Sequence, residues 1–244
     1  MLAGHYATAL VAKQKAPKGT LLYFLIASQL PDLLWLGFHY LGLEPTRPDD
    51  VLDVSLDRLA VDMIYSHDVL PILLWTALTA GVGYLLFRQL RVVVIGALLV
   101  LVHAASDYLG GFPHHVFGPD TPSVGTGWYY TAPYLGVAFE ALYCVIFLAW
   151  FFYNDAKAGV KRTVSQRATI VGVFVFGVVF MFSVAKTSFR DLFGIPPFDV
   201  PFNTVVPAMI LTYVPMIVIL MLAMREPSSL PGRRGEGPAE ETSS

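Results

Sequence analysis

The chain has 244 residues, of which 55% are hydrophobic and 14% charged, with a net charge of −2. Soluble domains carry about 25% charged residues, and the shortfall here is gathered into long uncharged runs. The near-neutral balance argues against a nucleic-acid partner, and the single cysteine, Cys144, excludes a disulfide within the chain.

The first apolar segment, residues 2–12, has no basic residue before it and is followed by Lys13, Lys15 and Lys18. That is not the layout of a cleavable leader. It predicts a short helix that cannot cross a bilayer by itself. Six longer apolar runs follow, at residues 20–43, 69–87, 92–109, 134–153, 168–185 and 203–224. Each reaches the roughly 20 residues that span a hydrocarbon core of about 30 Å. Between them, residues 44–68 predict an amphipathic surface helix, with Leu52, Leu56, Leu59, Met63 and Ile64 on one face and Asp53 and Asp57 off it. Residues 110–133 form a Gly/Pro-rich loop without a basic residue, and residues 186–202 a loop broken by Pro196 and Pro197. Trp128, Tyr129, Tyr130 and Tyr134 resemble an interfacial aromatic belt.

The fold class is therefore all-α: a polytopic integral membrane helical bundle with six full spans and one short N-terminal helix. Residues 1–135 form a membrane region that carries the candidate site. Residues 136–226 add further transmembrane helices, and residues 227–244, rich in Gly, Pro, Ser and Glu, read as a disordered cytoplasmic tail. No internal repeat is evident.

Basic residues set the orientation. One side receives Lys13, Lys15, Lys18, Arg88, Arg91, Lys157, Lys161, Arg162, Arg167, Arg225, Arg233 and Arg234; the other receives only Arg47, Arg58, Lys186 and Arg190. The richer side is expected to face the cytoplasm, from a place in the inner (plasma) membrane.

Ionisable residues at membrane depth are costly and mark function. Asp32 follows Thr20 by 12 residues and His103 follows Arg91 by 12, so each lies roughly 18 Å above the inner surface at 1.5 Å per residue. Asp107 is one turn beyond His103 on the same helix face. Glu140, counted back from Tyr153, reaches a similar depth, roughly 20 Å. His5 joins them if residues 2–12 and 20–30 pair as antiparallel helices, with Pro31 breaking the second helix just before Asp32. His67 sits at a helix junction and would have to dip inward.

His5, Asp32, His67, His103 and Asp107 make a ligand set suited to a divalent metal, zinc first, with manganese or iron as alternatives. A metal-bound water can be acidified to a pKa of about 7, and Asp32 or Asp107 could then act as a general base. Glu140 is expected to face the same cavity and orient a ligand histidine. His114 and His115, with Asp120, read as a solvated rim, and Lys186 and Arg190 as loop charges able to hold a phosphate.

Gly4-His5, Leu30-Pro31-Asp32, Ser66-His67 and His103-Ala-Ala-Ser-Asp107 occur in that order. The pattern resembles the predicted membrane-bound metal-dependent hydrolases, a bacterial group with a LexA-regulated member, over residues 1–135. The family's His-Arg-Gly-x-Thr-His-Ser element is here Met63-Ile-Tyr-Ser-His67-Asp68, without the upstream histidine and arginine. The resemblance implies metal-dependent hydrolysis, and the membrane setting a lipid or lipid-linked ester or phosphoester. The alternative is a transporter or permease in which Asp32, His103, Asp107 and Glu140 relay protons or bind a cation. A non-catalytic scaffold would need no such clustering.

The charge asymmetry makes a direct prediction. A reporter fused to the C-terminus should behave as a cytoplasmic fusion, and strong alkaline phosphatase activity from that position would reverse the topology.

Overall fold

The computed structural model describes residues 1–225, so the tail expected from residue 227 lies outside the described residues. A short helix, α1 (Gly4–Lys15), is followed by α2 (Leu21–Tyr40), α3 (Ile64–His67), α4 (Val69–Phe87), α5 (Leu90–Gly110), α6 (Trp128–Thr131), α7 (Pro133–Lys157), α8 (Val164–Ser183), α9 (Phe189–Phe193) and α10 (Val205–Ala223). Among the described residues, α2, α4, α5, α7, α8 and α10 are long and apolar enough to cross a membrane. The strands are two minimal antiparallel pairs, β1 (Thr46–Arg47) with β2 (Ala60–Val61) and β3 (His114–His115) with β4 (Ser123–Val124).

The helix starts follow local chemistry. The Thr20 hydroxyl accepts from the Tyr23 N–H to open α2, and Thr163 and Gln166 cap each other reciprocally to open α8. The turns holding most of the basic residues gather at one end of the bundle. There Lys13 donates to the Pro17 and Gly19 carbonyls and Lys18 reaches Gln89. Gln14 donates to Asp155 at 2.7 Å, Arg162 pairs with the same carboxylate, and Gln166 reaches the Arg225 carbonyl. These contacts tie the α1–α2, α4–α5 and α7–α8 turns and the end of α10 into one basic end.

The basic half is packed solid. Leu10, Phe24, Phe151, Ile170, Phe174 and Leu220 are all fully buried there. α1 lies inside this packing, with every residue from Gly4 to Ala12 buried against α2, α5 and α7. A helix shielded by protein on all sides need not match the bilayer's thickness. Its first turn carries His5 to the ring of His103 inside the bundle.

Three local expectations are corrected. α2 runs unbroken through Pro31. The missing Pro31 N–H frees the Ala27 carbonyl of the preceding turn, and the neighbouring Ser28 carbonyl accepts from His103. Residues 44–68 form no amphipathic helix. Ser55 and Asp50 bond to nearby groups, and these local bonds compete with a helix. A 3₁₀ turn, Val51–Asp53, and the β1–β2 pair take the helix's place. Leu56, Leu59 and Met63 are still buried, as their pattern required. Tyr129, assigned to the aromatic belt, is buried, whereas Tyr130 and Tyr134 are exposed.

The α2–α4–α5 contact depends on two glycines. The Tyr23 hydroxyl donates to the Thr79 carbonyl at 3.0 Å from a slot where a Cβ on Gly96 would lie 2.0 Å from it, and one on Gly83 2.4 Å. Gly96→Ala should therefore destabilise the protein by about 1–3 kcal/mol, the usual cost of overpacking. Adding Tyr23→Phe, which removes the clashing oxygen, should recover part of the loss. Thermal melts of the single and double variants in detergent check this.

Candidate metal centre

Four side chains from three elements converge at the end of the bundle away from the basic turns. α2 supplies Asp32, α5 supplies His103 and Asp107 at i and i+4, and α3 supplies His67. One ligand atom from each lies within 4.8 Å of all the others, and all four residues are buried. His67 Nε2 is 3.2 Å from Asp32 Oδ1, and His103 Nε2 is 3.2 Å from Asp107 Oδ2. The two Nε2 atoms are 3.4 Å apart. The diagonal separations are 3.7 Å from His67 to Asp107 and 4.0 Å from His103 to Asp32. This group could hold a metal ion.

The outer faces of the ligands are fixed. His103 Nδ1 lies 2.8 Å from the Ser28 carbonyl, which can only accept, so Nδ1 carries the proton. In the neutral ring the Nε2 lone pair therefore points at the centre. His67 Nδ1 meets the Ser66 hydroxyl at 2.7 Å. Asp32 Oδ2 accepts from Gln29 and, at 3.1 Å, from the Tyr213 hydroxyl of α10, leaving Oδ1 for the centre. Asp107 Oδ1 accepts from the Met1 amine at 2.6 Å. Two ring N–H groups would clash across 3.4 Å, so at least one of the two Nε2 atoms presents a lone pair. Asp32 and Asp107 are both buried carboxylates, and a bound cation would offset their mutual repulsion.

His67 reaches the centre because α3 is held from both sides. Glu44 Oε1 accepts the Tyr65 and Ser66 N–H groups at 2.6 and 2.8 Å. Burial pushes the Glu44 carboxyl above its ordinary range. After the helix, Asp68 accepts from the His115 and Gly118 N–H groups.

His5 lies beside the group of four. Its ring stacks on His103 at 3.6 Å and its Nε2 is 3.3 Å from Asp107 Oδ1, without the alignment of a hydrogen bond. Glu140 does not touch a histidine. Its Oε1 accepts the Ala3 and Gly4 N–H groups at 2.8 and 3.2 Å, binding the open start of α1. His114 is buried rather than part of a solvated rim. Its ring is parallel to His67 at a centroid distance of 5.3 Å, and burial lowers its pKa to about 3, keeping it neutral. His115, half-buried, faces the Thr121 carbonyl. Arg190 is not a free anion clamp: its guanidinium is taken by Asp50, Asp53 and the Pro196 carbonyl. Lys186 is exposed on the loop.

A cavity of about 150 Å³ opens above the centre. Asp32, His67, Asp107 and His114 form its polar floor, and Trp35, Leu56, Met63, Phe180, Val205 and Met209 are among its apolar walls. Gln29, Glu44 and Tyr213 escaped the sequence reading. Gln29 could have been found as a polar residue one turn before Asp32, and Tyr213 by counting depth in the last span. Glu44 acts through a loop and left no such signal.

The chain matches no family model, no curated protein and no solved structure.

Two substitutions separate ligand support from helix support. Tyr213→Phe removes a donor from Asp32 and should weaken metal binding about tenfold, the low end of such effects. Glu140→Gln keeps an acceptor oxygen for Ala3 and Gly4 and should leave metal affinity unchanged. Chelator competition on the purified variants measures both.

Proposed function

We propose that this protein is a membrane-embedded metal-dependent hydrolase that cleaves an ester or phosphoester in a lipid or lipid-linked substrate. One observation carries the reading: four metal-ligating atoms within 4.8 Å of one another, with Asp32, His67 and Asp107 lining an apolar cavity. Zinc is the favoured ion. Tetrahedral donors at about 2.0–2.2 Å from zinc lie about 3.3–3.6 Å apart; four separations in this group, 3.2, 3.2, 3.4 and 3.7 Å, are close to that, and the fifth, 4.0 Å from His103 to Asp32, would shorten on binding. Octahedral magnesium would bring neighbouring donors to about 3.0 Å. Manganese and iron are the alternatives to zinc. When bound, the ion would acidify a water and polarise the scissile group. Asp32, His67, His103 and Asp107 would hold it, with Asp32 or Asp107 available to take a proton.

The family resemblance supports the same reading, because its motifs Leu30-Pro31-Asp32, Ser66-His67 and His103 to Asp107 contain all four residues. Transport is the weaker reading. It needs a path through the basic half, where Phe24, Phe151, Ile170 and Leu220 are fully buried. With the basic end in the cytoplasm of a plasma membrane, the cavity opens toward the outer face.

Purified protein should carry close to one equivalent of zinc, manganese or iron, and His103→Ala should lose it. Chelation should stop ester or phosphoester hydrolysis and zinc should restore it. Metal fully retained in His103→Ala would overturn the assignment.

A further inference from the structure

The cavity's lining includes neither lysine nor arginine. Of the basic residues on the outer loops, Arg190 is engaged by Asp50 and Asp53 and Arg58 by Asp191, while Lys186 is exposed and does not line the cavity. A divalent ion and the buried Met1 amine bring three positive charges, and Asp32, Asp107 and Glu140 three negative ones, so with neutral imidazoles no net charge is left to attract an anion. Sites that process phosphoryl groups surround the anionic oxygens with Arg, Lys or further metal. An ester carbonyl needs none of that, since its oxygen gains charge only as the reaction proceeds. The charge pattern therefore selects an uncharged ester over a phosphoester.

The cavity's size says where the rest of the molecule goes. A cavity of about 150 Å³ takes a group of roughly benzene's size. A long acyl chain cannot be enclosed. A second hollow lies between α8 and α10, lined by Gly172, Phe176, Leu211, Pro215 and Met216. Phe176 and Leu211 are exposed there, and a Cβ on Gly172 would meet nothing within 4 Å. Thr212 borders both the cavity and this groove. It is polar, but its hydroxyl is satisfied by the Ala208 carbonyl at 2.9 Å, which leaves its methyl for an apolar neighbour. On α10 the residues lining the two spaces overlap, with 205, 208, 209, 212 and 213 facing the cavity and 211, 212, 215, 216 and 219 facing the groove.

We propose that the substrate is an uncharged carboxylic ester of a bilayer lipid, with its carbonyl over Asp32, His67 and Asp107 and its acyl chain leaving past Thr212 into the α8–α10 groove. This rests on the hydrolase reading above. The water oxygen bonds to the carbonyl carbon, the bond from that carbon to the alkoxide oxygen breaks, and a water proton ends on the departing alcohol. The products are a fatty acid and a neutral alcohol, with no change of oxidation state.

The test uses the zinc-loaded full chain in vesicles of diether phosphatidylcholine, which contain no acyl ester of their own. One set carries a long-chain monoacylglycerol and the other phosphatidic acid. Fatty acid should appear from the first, with no inorganic phosphate from the second. Binding is read separately, by quenching of Trp35 with a monoacylglycerol brominated along its chain, in a variant whose Trp75, Trp128 and Trp150 are phenylalanine. Thr212→Phe should abolish the quenching and raise KM about tenfold or more, the scale of a lost apolar fit, while zinc content and kcat hold. Val218→Phe, on the same helix but lining neither the cavity nor the groove, should leave both readouts as they were. Phosphate release without fatty acid release would overturn the substrate class. Unchanged quenching and KM in Thr212→Phe would overturn the route. Quenching that depends on Thr212 but accompanies neither product would sink the hydrolase reading and the ester with it, while keeping the chain's path.

Discussion

Two carboxylates and two imidazoles removed from water, with their ligand atoms within 4.8 Å of one another, constrain the rest of this bundle. An ionised group transferred to an apolar medium is strongly disfavoured unless it is paired and hydrogen-bonded. The structure meets that requirement by giving the outer atoms of these groups their own partners. Ser28 takes the far side of His103, Ser66 that of His67, and Gln29 and Tyr213 that of Asp32. The inner atoms are then free to face one another. The supporting groups come from α2, α3 and α10. The centre therefore binds the first half of the chain to its last span.

The same constraint explains α1. A helix of 12 residues cannot cross a bilayer, and its first N–H groups would be unsatisfied at mid-depth. Glu140 supplies the missing acceptor from α7, and α1 in return removes Glu140 from lipid. Each of these elements would be unfavourable in the membrane alone. Together they seat His5 against the ring of His103.

The spans were legible because bilayer thickness fixes their length, and observed and expected limits differ by only a few residues at each end. That Asp32, His103 and Asp107 lie together was legible for the same reason, since rise per residue converts position into height along the bundle. What depth cannot give is direction around a helix axis. That is why Glu140, at the right height, was expected to face a histidine and in fact faces the start of α1. The loops failed differently. Residues 50–63 carry a helical spacing of apolar residues, but local side-chain bonds and the pairing of β1 with β2 decide the backbone. Buried Arg190 was read as an available cation because its partners, Asp50 and Asp53, lie some 140 residues away in sequence.

The bond between Ala3 and Glu140 spans 137 positions, which has a consequence for biogenesis. α1 is neither long enough to halt a translocating chain nor apolar enough on its own to stay in lipid. It emerges from the ribosome long before the carboxylate that secures it. At about 5–20 residues per second the wait is on the order of 7–27 s. During that interval α2, α4 and α5 can already be inserted. Completion of the pocket's floor is then a late event in synthesis, and a chain truncated within α7 would leave its first dozen residues without a resting place.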